Sequence, residues 1–73
     1  GKGYVDFSFH PRRKADTAFI VELKKDETVD RALKQIKNKE YVEKFRKENK
    51  NILAVAICYD SKTKEHRCKI ERI

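Results

Sequence analysis

Residues 19–25 have the sequence FIVELKK, in which apolar side chains recur at every second position. Because successive side chains of a strand alternate between its two faces, this pattern predicts a half-buried β-strand. We assign Phe19, Val21 and Leu23 to the core face of that strand. Glu22 and Lys24 then share the opposite face, two residues apart.

A second strand is predicted upstream, where residues 4–9 (YVDFSF) have apolar side chains at every odd position. Asp6 lies on the other face of this strand. Residues 10–16 (HPRRKAD) are polar and contain a proline, which favours a long hairpin connection between the two strands. If the hairpin is symmetric about Lys14, Asp6 falls opposite Glu22, with their Cβ atoms about 4.5 to 5.5 Å apart.

Two carboxylates this close repel each other, so the pair is favourable only if one is protonated or a cation lies between them. Lys24 or a divalent ion can supply that cation. Oxygen ligands without a matching histidine favour magnesium or manganese over zinc. Such a site suits phosphodiester hydrolysis, in which the metal activates the attacking water and the lysine offsets charge in the transition state. The alternative is that these residues are solvated surface charges of the hairpin.

After Lys25 the apolar residues recur with the period of a helix. Thr28 or Asp26 is placed to cap this helix. Its apolar stripe loses phase near Asn38 and a second stripe follows, so we expect two helices with a break between them. The two stripes are formed by Val29, Ala32, Leu33 and Ile36, and by Tyr41, Val42 and Phe45.

Two further strands are expected at the end of the chain. Residues 52–59 are almost continuously apolar, which is typical of a strand covered on both faces. Residues 60–64 predict a turn, and the alternation of charged and apolar residues after it predicts an edge strand. Because a helical segment lies between the second and third strands, the fold class is α/β (α+β), with a mixed sheet of about four strands.

Cys58 and Cys68 flank the last turn and would face each other if that turn is symmetric about Thr63. Two cysteines in an intracellular chain are more often reduced core residues than a disulfide. A structural zinc site is not expected, because the sequence has neither a Cys-x-x-Cys pair nor a histidine at finger spacing.

The chain is small and basic, with 73 residues, of which 42% are charged, and a net charge of +7. A chain of this length forms one domain of marginal stability. Its excess of lysine and arginine favours binding to nucleic-acid phosphates. The densest cluster is Arg12, Arg13 and Lys14 in the hairpin loop, and we assign it to a phosphate backbone. A plain solvated loop is the alternative.

Two other properties bear on function. No apolar run approaches the roughly 20 residues needed to cross a bilayer, so we expect a soluble, cytoplasmic protein. Base stacking is not expected, because the strand and helix periods assign all four phenylalanines to the core. These are Phe7, Phe9, Phe19 and Phe45.

Three segments follow one another along the chain in a specific order: Gly3-Tyr4-Val5-Asp6, Ile20-Val21-Glu22-Leu23-Lys24 and Ala32-Leu33-Lys34-Gln35-Ile36-Lys37-Asn38-Lys39-Glu40-Tyr41. In this order they resemble the PD-(D/E)XK nuclease superfamily, and the resemblance covers nearly the whole chain. Within the superfamily the chain is similar to the branch found at the C-terminus of bacterial proteins with an AAA-ATPase-like domain.

The resemblance implies a restriction-endonuclease-like fold and a nuclease that uses Mg²⁺ or Mn²⁺. Carried over by position, it makes Asp6 and Glu22 metal ligands and Lys24 the catalytic lysine. Gln35 matches a helix glutamine that faces the catalytic site and orients water or a phosphate. Tyr41 matches a recurrent tyrosine without an assigned role. The implied substrate is nucleic acid, with DNA favoured over RNA and neither excluded.

The superfamily core usually begins with a further helix and strand, and neither is found before Gly3. We therefore expect residues 1–73 to be a single nuclease-like domain that is the C-terminal part of a larger protein. The implied partner is an upstream ATPase-like domain. Because a chain this small and highly charged has marginal stability, a homodimer with a second copy is a further expectation, and a structural piece that folds only in such a pair is another alternative. The alternative function is a catalytically inactive nucleic-acid-binding or protein-interaction module of the same fold.

Overall fold

The computed structural model describes residues 7–13 and 16–73. In chain order its elements are β1 (Phe7–Phe9), β2 (Thr17–Lys25), α1 (Val29–Lys37), α2 (Glu40–Glu48), β3 (Asn51–Tyr59) and β4 (His66–Arg72). The four strands form one sheet in the order β1-β2-β3-β4. The central pair, β2 and β3, is parallel, and both outer pairs are antiparallel. The predicted mixed sheet with a helical crossover between its second and third strands is confirmed.

The hairpin of β1 and β2 has the predicted register. Phe7 pairs with Val21 and Phe9 pairs with Phe19, so both pairs lie symmetrically about position 14. Asp6, the predicted metal ligand, and Lys14, part of the predicted phosphate-binding cluster, lie outside the described residues. The prediction of a hairpin centred on Lys14 is therefore confirmed for the pairs that the structure describes.

The helical segment has the predicted break. Thr28 is the N-cap of α1, and its Oγ1 accepts a hydrogen bond from the backbone N–H of Arg31 at 3.2 Å. Asn38 and Lys39 separate α1 from α2, which begins at Glu40. In the described part of the chain neither nine-residue helix, nor any other, is long and apolar enough to cross a membrane.

The helices cover the face of β2 opposite to the one we expected. The buried residues of β2 are Ala18, Ile20 and Glu22, whereas Phe19 and Leu23 are 39% and 47% exposed. The assignment of Phe19, Val21 and Leu23 to the core face was therefore wrong. The physical reason is that both faces of β2 carry apolar residues, so alternation does not identify the covered face. The helices pack over the face with the smaller side chains, where alanines allow close approach: Ala18, Ala54 and Ala56.

The other face of the sheet, which we call the open face, is apolar. Phe7, Phe9 and Ile70 are each at least half exposed there, so among the phenylalanines assigned to the core only Phe45 is buried. The open face contains two cross-strand rows, Phe7–Val21–Val55–Ile70 and Leu23–Ile57–Cys68. The prediction that β3 is covered on both faces was also wrong, because alternate residues of β3 are only half-buried. β4 lies at the edge of the described sheet, as predicted.

The hairpin of β3 and β4 differs from its predicted register by one residue. Cys58 pairs with Arg67, and Cys68 pairs with Ile57. A one-residue shift moves a side chain to the other face of a sheet. Cys58 is accordingly buried beneath the helices and Cys68 is exposed on the open face, both as free thiols. The expectation that the two cysteines face each other was wrong, because the turn closes around Asp60 and Glu65 with Lys64 in the left-handed region at φ 65°.

Candidate catalytic site

Glu22 is a buried carboxylate in the layer between the sheet and the helices. It lies on β2 two residues after Ile20 and pairs with Ala56 of β3. Its side chain is only 2% exposed. Because a buried carboxylate is costly unless it is paired and hydrogen-bonded, its neighbours must supply positive charge.

Two lysines supply that charge. The Nζ of Lys39 donates hydrogen bonds to both carboxylate oxygens of Glu22, at 2.8 and 3.0 Å. The Nζ of Lys24 lies 3.2 Å from Oε1 of the same carboxylate. Among the residues that the structure describes, the cluster contains one anion, Glu22, and two cations, Lys24 and Lys39.

The predicted proximity of Glu22 and Lys24 is confirmed by this geometry, because both side chains project to the helix-covered face of β2. What was missed is that this face is buried, so that Glu22 is an interior carboxylate and not a surface one. The catalytic role of Lys24 and the metal-binding role of Glu22 stay predictions.

Lys39 was not among the residues that the sequence predicted for this site. It is 7% exposed and lies at the break between the two helices, where it is the N-cap of α2. The one sequence signal was its place at the start of a helix, where lysine is an unusual cap. Nothing in the sequence indicates its pairing with Glu22, which is 17 residues away along the chain.

Gln35 and Tyr41 lie on either side of the helix break. Gln35 is half-buried on α1, four residues before Lys39, and its predicted role toward the site stays a prediction. The hydroxyl of Tyr41 is 3.1 Å from Oγ of Ser8, and its ring centroid is 5.7 Å from that of Phe45. Tyr41 therefore links the start of α2 to β1, which gives this recurrent tyrosine a structural role.

The hairpin loop carries the exposed side chains of Arg12 and Arg13. The backbone N–H of Asp16 donates to the carbonyl of Arg13 at 3.0 Å, which closes this end of the loop. Exposed guanidinium groups are available to phosphates, so the structure is compatible with the predicted role of this segment. Their contact with nucleic acid stays a prediction.

A cleft of about 740 Å³ lies beyond the end of β2 and is lined by residues that include Asp26, Ser61 and Arg67. Asp26 adopts a positive φ of 56°, and its carboxylate accepts hydrogen bonds from the backbone N–H and hydroxyl of Ser61. These hydrogen bonds hold the pKa of Asp26 below its ordinary value of 3.8, and the bond from the Ser61 backbone N–H makes the largest contribution. Lys24, the candidate catalytic lysine, forms one cross-strand row with Cys58 and Arg67. Because Cys58 and Arg67 also line the cleft, the cleft begins next to Lys24.

The donor atoms of this site are carboxylate oxygens, the type of ligand that a hard divalent cation prefers. Glu22 offers two carboxylate oxygens that already bind cationic groups, and oxygen ligands are those that Mg²⁺ prefers. Within residues 7–13 and 16–73 no cluster of three or more His, Cys, Asp or Glu residues could hold a metal ion. The second predicted ligand, Asp6, belongs to the part of the chain that the structure does not describe. Among the described residues, Glu22 can therefore supply part of the ligand set of a divalent ion, but not all of it.

Comparison with known protein families identifies a superfamily that matches most of the chain. A model of the PD-(D/E)XK nuclease superfamily matches residues 1–69 of the 73-residue chain, a span that contains all four predicted catalytic and metal-binding positions. Proteins of this superfamily generally use divalent metal ions and act on nucleic acids. Neither a curated protein nor a solved structure matches the chain.

Proposed function

Since the chain belongs to the PD-(D/E)XK nuclease superfamily, we propose that it is a metal-dependent nuclease domain that hydrolyses phosphodiester bonds in nucleic acids. The single observation that carries this proposal is the buried Glu22 carboxylate with Lys24 at 3.2 Å. A carboxylate and a lysine on one face of a strand are the parts that such a reaction needs, one to bind the metal and one to stabilise charge.

The proposed metal is Mg²⁺ or Mn²⁺, with Glu22 and Asp6 as its protein ligands. Support for Asp6 comes from the hairpin register, since Ser8 pairs with Ile20 and Phe7 with Val21. The prediction that Asp6 lies opposite Glu22 assumed a hairpin with this symmetry. When bound, the metal would lower the pKa of its water and polarise the phosphoryl oxygen.

The protein's own residues have separate roles in this proposal. Lys24 holds the attacking water or offsets negative charge on the phosphate as the bond breaks. Gln35 orients water or a phosphate oxygen from the helix side. Arg12, Arg13 and Lys14 bind phosphates beside the scissile bond, which positions the substrate without reading its sequence.

We further propose DNA as the substrate ahead of RNA, and the cytoplasm as the site of action. Homodimerisation and an upstream ATPase-like domain also belong to the proposal. The ATPase-like domain rests on the family resemblance alone, and homodimerisation rests on the small size and high charge of the chain.

A second function, a binding module without hydrolytic activity, is favoured by one observation. Both oxygens of Glu22 are hydrogen-bonded to the ammonium group of Lys39, which can neutralise this carboxylate without a metal ion. A site that has lost metal binding would keep such a pair and still attract phosphates.

The test is cleavage of labelled single- and double-stranded DNA and RNA with Mg²⁺, with Mn²⁺ and with EDTA. Lys24→Met is compared with Lys25→Met, because Lys25 is the neighbouring lysine and is exposed. We expect Lys24→Met to reduce metal-dependent cleavage about 100-fold or more, the effect of losing one electrostatic stabiliser, and Lys25→Met to retain it. Equal activity of both variants would contradict the proposal. Binding of the oligonucleotides without cleavage by the wild type would support the binding module.

A further inference from the structure

Lys39 occupies a position that its local structure does not explain. The N-cap of a helix favours Ser, Thr, Asp or Asn, whose side chains accept a hydrogen bond from the first turn. A positive charge at this end also opposes the helix dipole. In α2 the side chain of Lys39 extends to Glu22 instead of capping the helix, and it is almost completely buried.

The contact with Glu22 has the geometry of a bound cation. The ammonium nitrogen is nearly equidistant from the two carboxylate oxygens, at 2.8 and 3.0 Å. A divalent ion that binds Glu22 uses the same oxygen lone pairs, at about 2.0–2.1 Å for Mg²⁺. The ammonium and the divalent ion cannot occupy this side of the carboxylate together, because their separation would be too short and their charges repel.

We propose that Lys39 holds the place of the divalent ion on Glu22, and that the ion binds by displacing the Lys39 ammonium. This inference rests on the proposed metal site and adds a positioning residue to it. Lys39 keeps the Glu22 carboxylate oriented and neutralised in the interior while no metal is bound. Because the Lys39 ammonium must leave Glu22 before the metal can bind, Lys39 weakens the affinity of the site for metal.

The position of Lys39 in the chain permits this exchange. It belongs to the two-residue link between α1 and α2, so its side chain can rotate away while both helices keep their packing. A lysine side chain has four flexible carbons and a compact charge, which suits a group that alternates between two positions.

Lys37 provides a matched control. It lies two residues before Lys39 and also pairs with a glutamate, its Nζ being 2.6 Å from Oε1 of Glu71. Both partners of that pair are more than one third exposed, so it is an ordinary surface ion pair.

The test is the affinity for Mn²⁺, measured by isothermal titration calorimetry on the wild type, Lys39→Met, Lys39→Arg and Lys37→Met. We expect Lys39→Met to bind Mn²⁺ about tenfold more tightly than the wild type, a change of the size seen at groups that contact metal ligands. Lys39→Arg keeps the competing charge and should bind as weakly as the wild type, as should Lys37→Met. Unchanged or weaker binding by folded Lys39→Met would overturn the inference.

A measurement on the wild type covers the case in which Lys39→Met does not fold. A buried, ion-paired ammonium gives a slowly exchanging side-chain NMR signal. We expect the Lys39 signal to shift and lose its protection as Mg²⁺ is added, while the Lys37 side chain is unaffected. Metal binding without any change at Lys39 would contradict the inference alone. Absence of saturable metal binding in every form would instead contradict the proposed metal site.

Discussion

Ile20 and Leu23 lie three residues apart on β2 and on opposite faces of the sheet: Ile20 is fully buried under the helices, whereas Leu23 is 47% exposed on the open face. Side chains of equal size therefore contribute differently to the core. The same division places Glu22 in the interior, since it shares the face of Ile20.

This difference predicts unequal costs of truncation at the two positions. Ile20→Ala should lower the free energy of unfolding by about 2–5 kcal/mol, because it leaves a cavity in the core. Leu23→Ala should cost much less, since about half of that side chain remains in water in the folded state. Urea denaturation of the two variants measures both values. A greater loss for Leu23→Ala would mean that the helices cover the other face.

The two cysteines should react with thiol reagents at different rates. Cys68 is exposed on the open face, whereas Cys58 is buried and burial raises the pKa of its thiol above the ordinary value of 9.0. Only the thiolate is nucleophilic, so Cys58 should be slow at neutral pH on both counts. We expect one fast equivalent with a maleimide, which Cys68→Ser abolishes and Cys58→Ala retains.

The register of β3 and β4 places Cys58 and Cys68 on opposite faces of the sheet, which determines how the two thiols should oxidise. Mild oxidation should give a disulfide between two chains through Cys68 rather than one within the chain. Formation of a Cys58–Cys68 disulfide in the folded monomer would contradict the register of β3 and β4.

Asp26 should make a contribution to stability that disappears in acid. Its pKa is lowered in the folded state by the hydrogen bonds from Ser61, relative to an ordinary value of 3.8. A lowered pKa means that the contribution is complete above pH 3.8 and is lost as the pH falls through the folded-state value. Asp26→Asn preserves the shape and tolerates a positive φ, so it removes mainly the charge.

The stability difference between the wild type and Asp26→Asn should therefore be present at neutral pH and shrink below pH 3.8. Urea denaturation across this range measures it. A difference that stays constant with pH would show that the Asp26 charge is not the stabilising feature.

Arg12 and Arg13 should contribute to nucleic-acid affinity through phosphates. Removing the charge that neutralises one phosphate reduces the slope of log affinity against log salt by about 0.7–0.9. We expect the double variant Arg12→Ala, Arg13→Ala to bind DNA more weakly at low salt with a correspondingly smaller slope. Arg46→Ala is the control, because Arg46 pairs with Glu43 on the surface of α2. Equal slopes for the double variant and for Arg46→Ala would show that Arg12 and Arg13 do not contact phosphates.

Much of the fold is predictable from local patterns. The stripe from Val29 to Ile36 and its Thr28 cap predicted α1, and the loss of phase near Asn38 predicted the break before α2. The first hairpin was predictable because residues 10–16 are polar and contain a proline, and because apolar residues alternate on both sides of them. The second was not, because the left-handed conformation of Lys64 changes the number of residues in the turn.

The faces of the sheet and the full site were not predictable in the same way. Alternation in β2 identifies two faces but not which one the helices cover, since Ile20 and Leu23 are both apolar. The pairing of Lys39 with Glu22 is a tertiary contact, which no local pattern encodes. The family resemblance placed Glu22 and Lys24 in one site, but it assigned no role to Lys39, which contacts both carboxylate oxygens of Glu22.

The central claim is that Glu22 binds a divalent cation beside Lys24, and a magnesium titration followed by amide NMR tests it most directly. The proteins are the wild type, Glu22→Gln, and the control Glu43→Gln, which alters an exposed glutamate on α2. We predict saturable shifts centred on Glu22 and Lys24 in the wild type and in Glu43→Gln, and their loss in folded Glu22→Gln. Absence of saturable shifts in the wild type, or their persistence in Glu22→Gln, would contradict the claim.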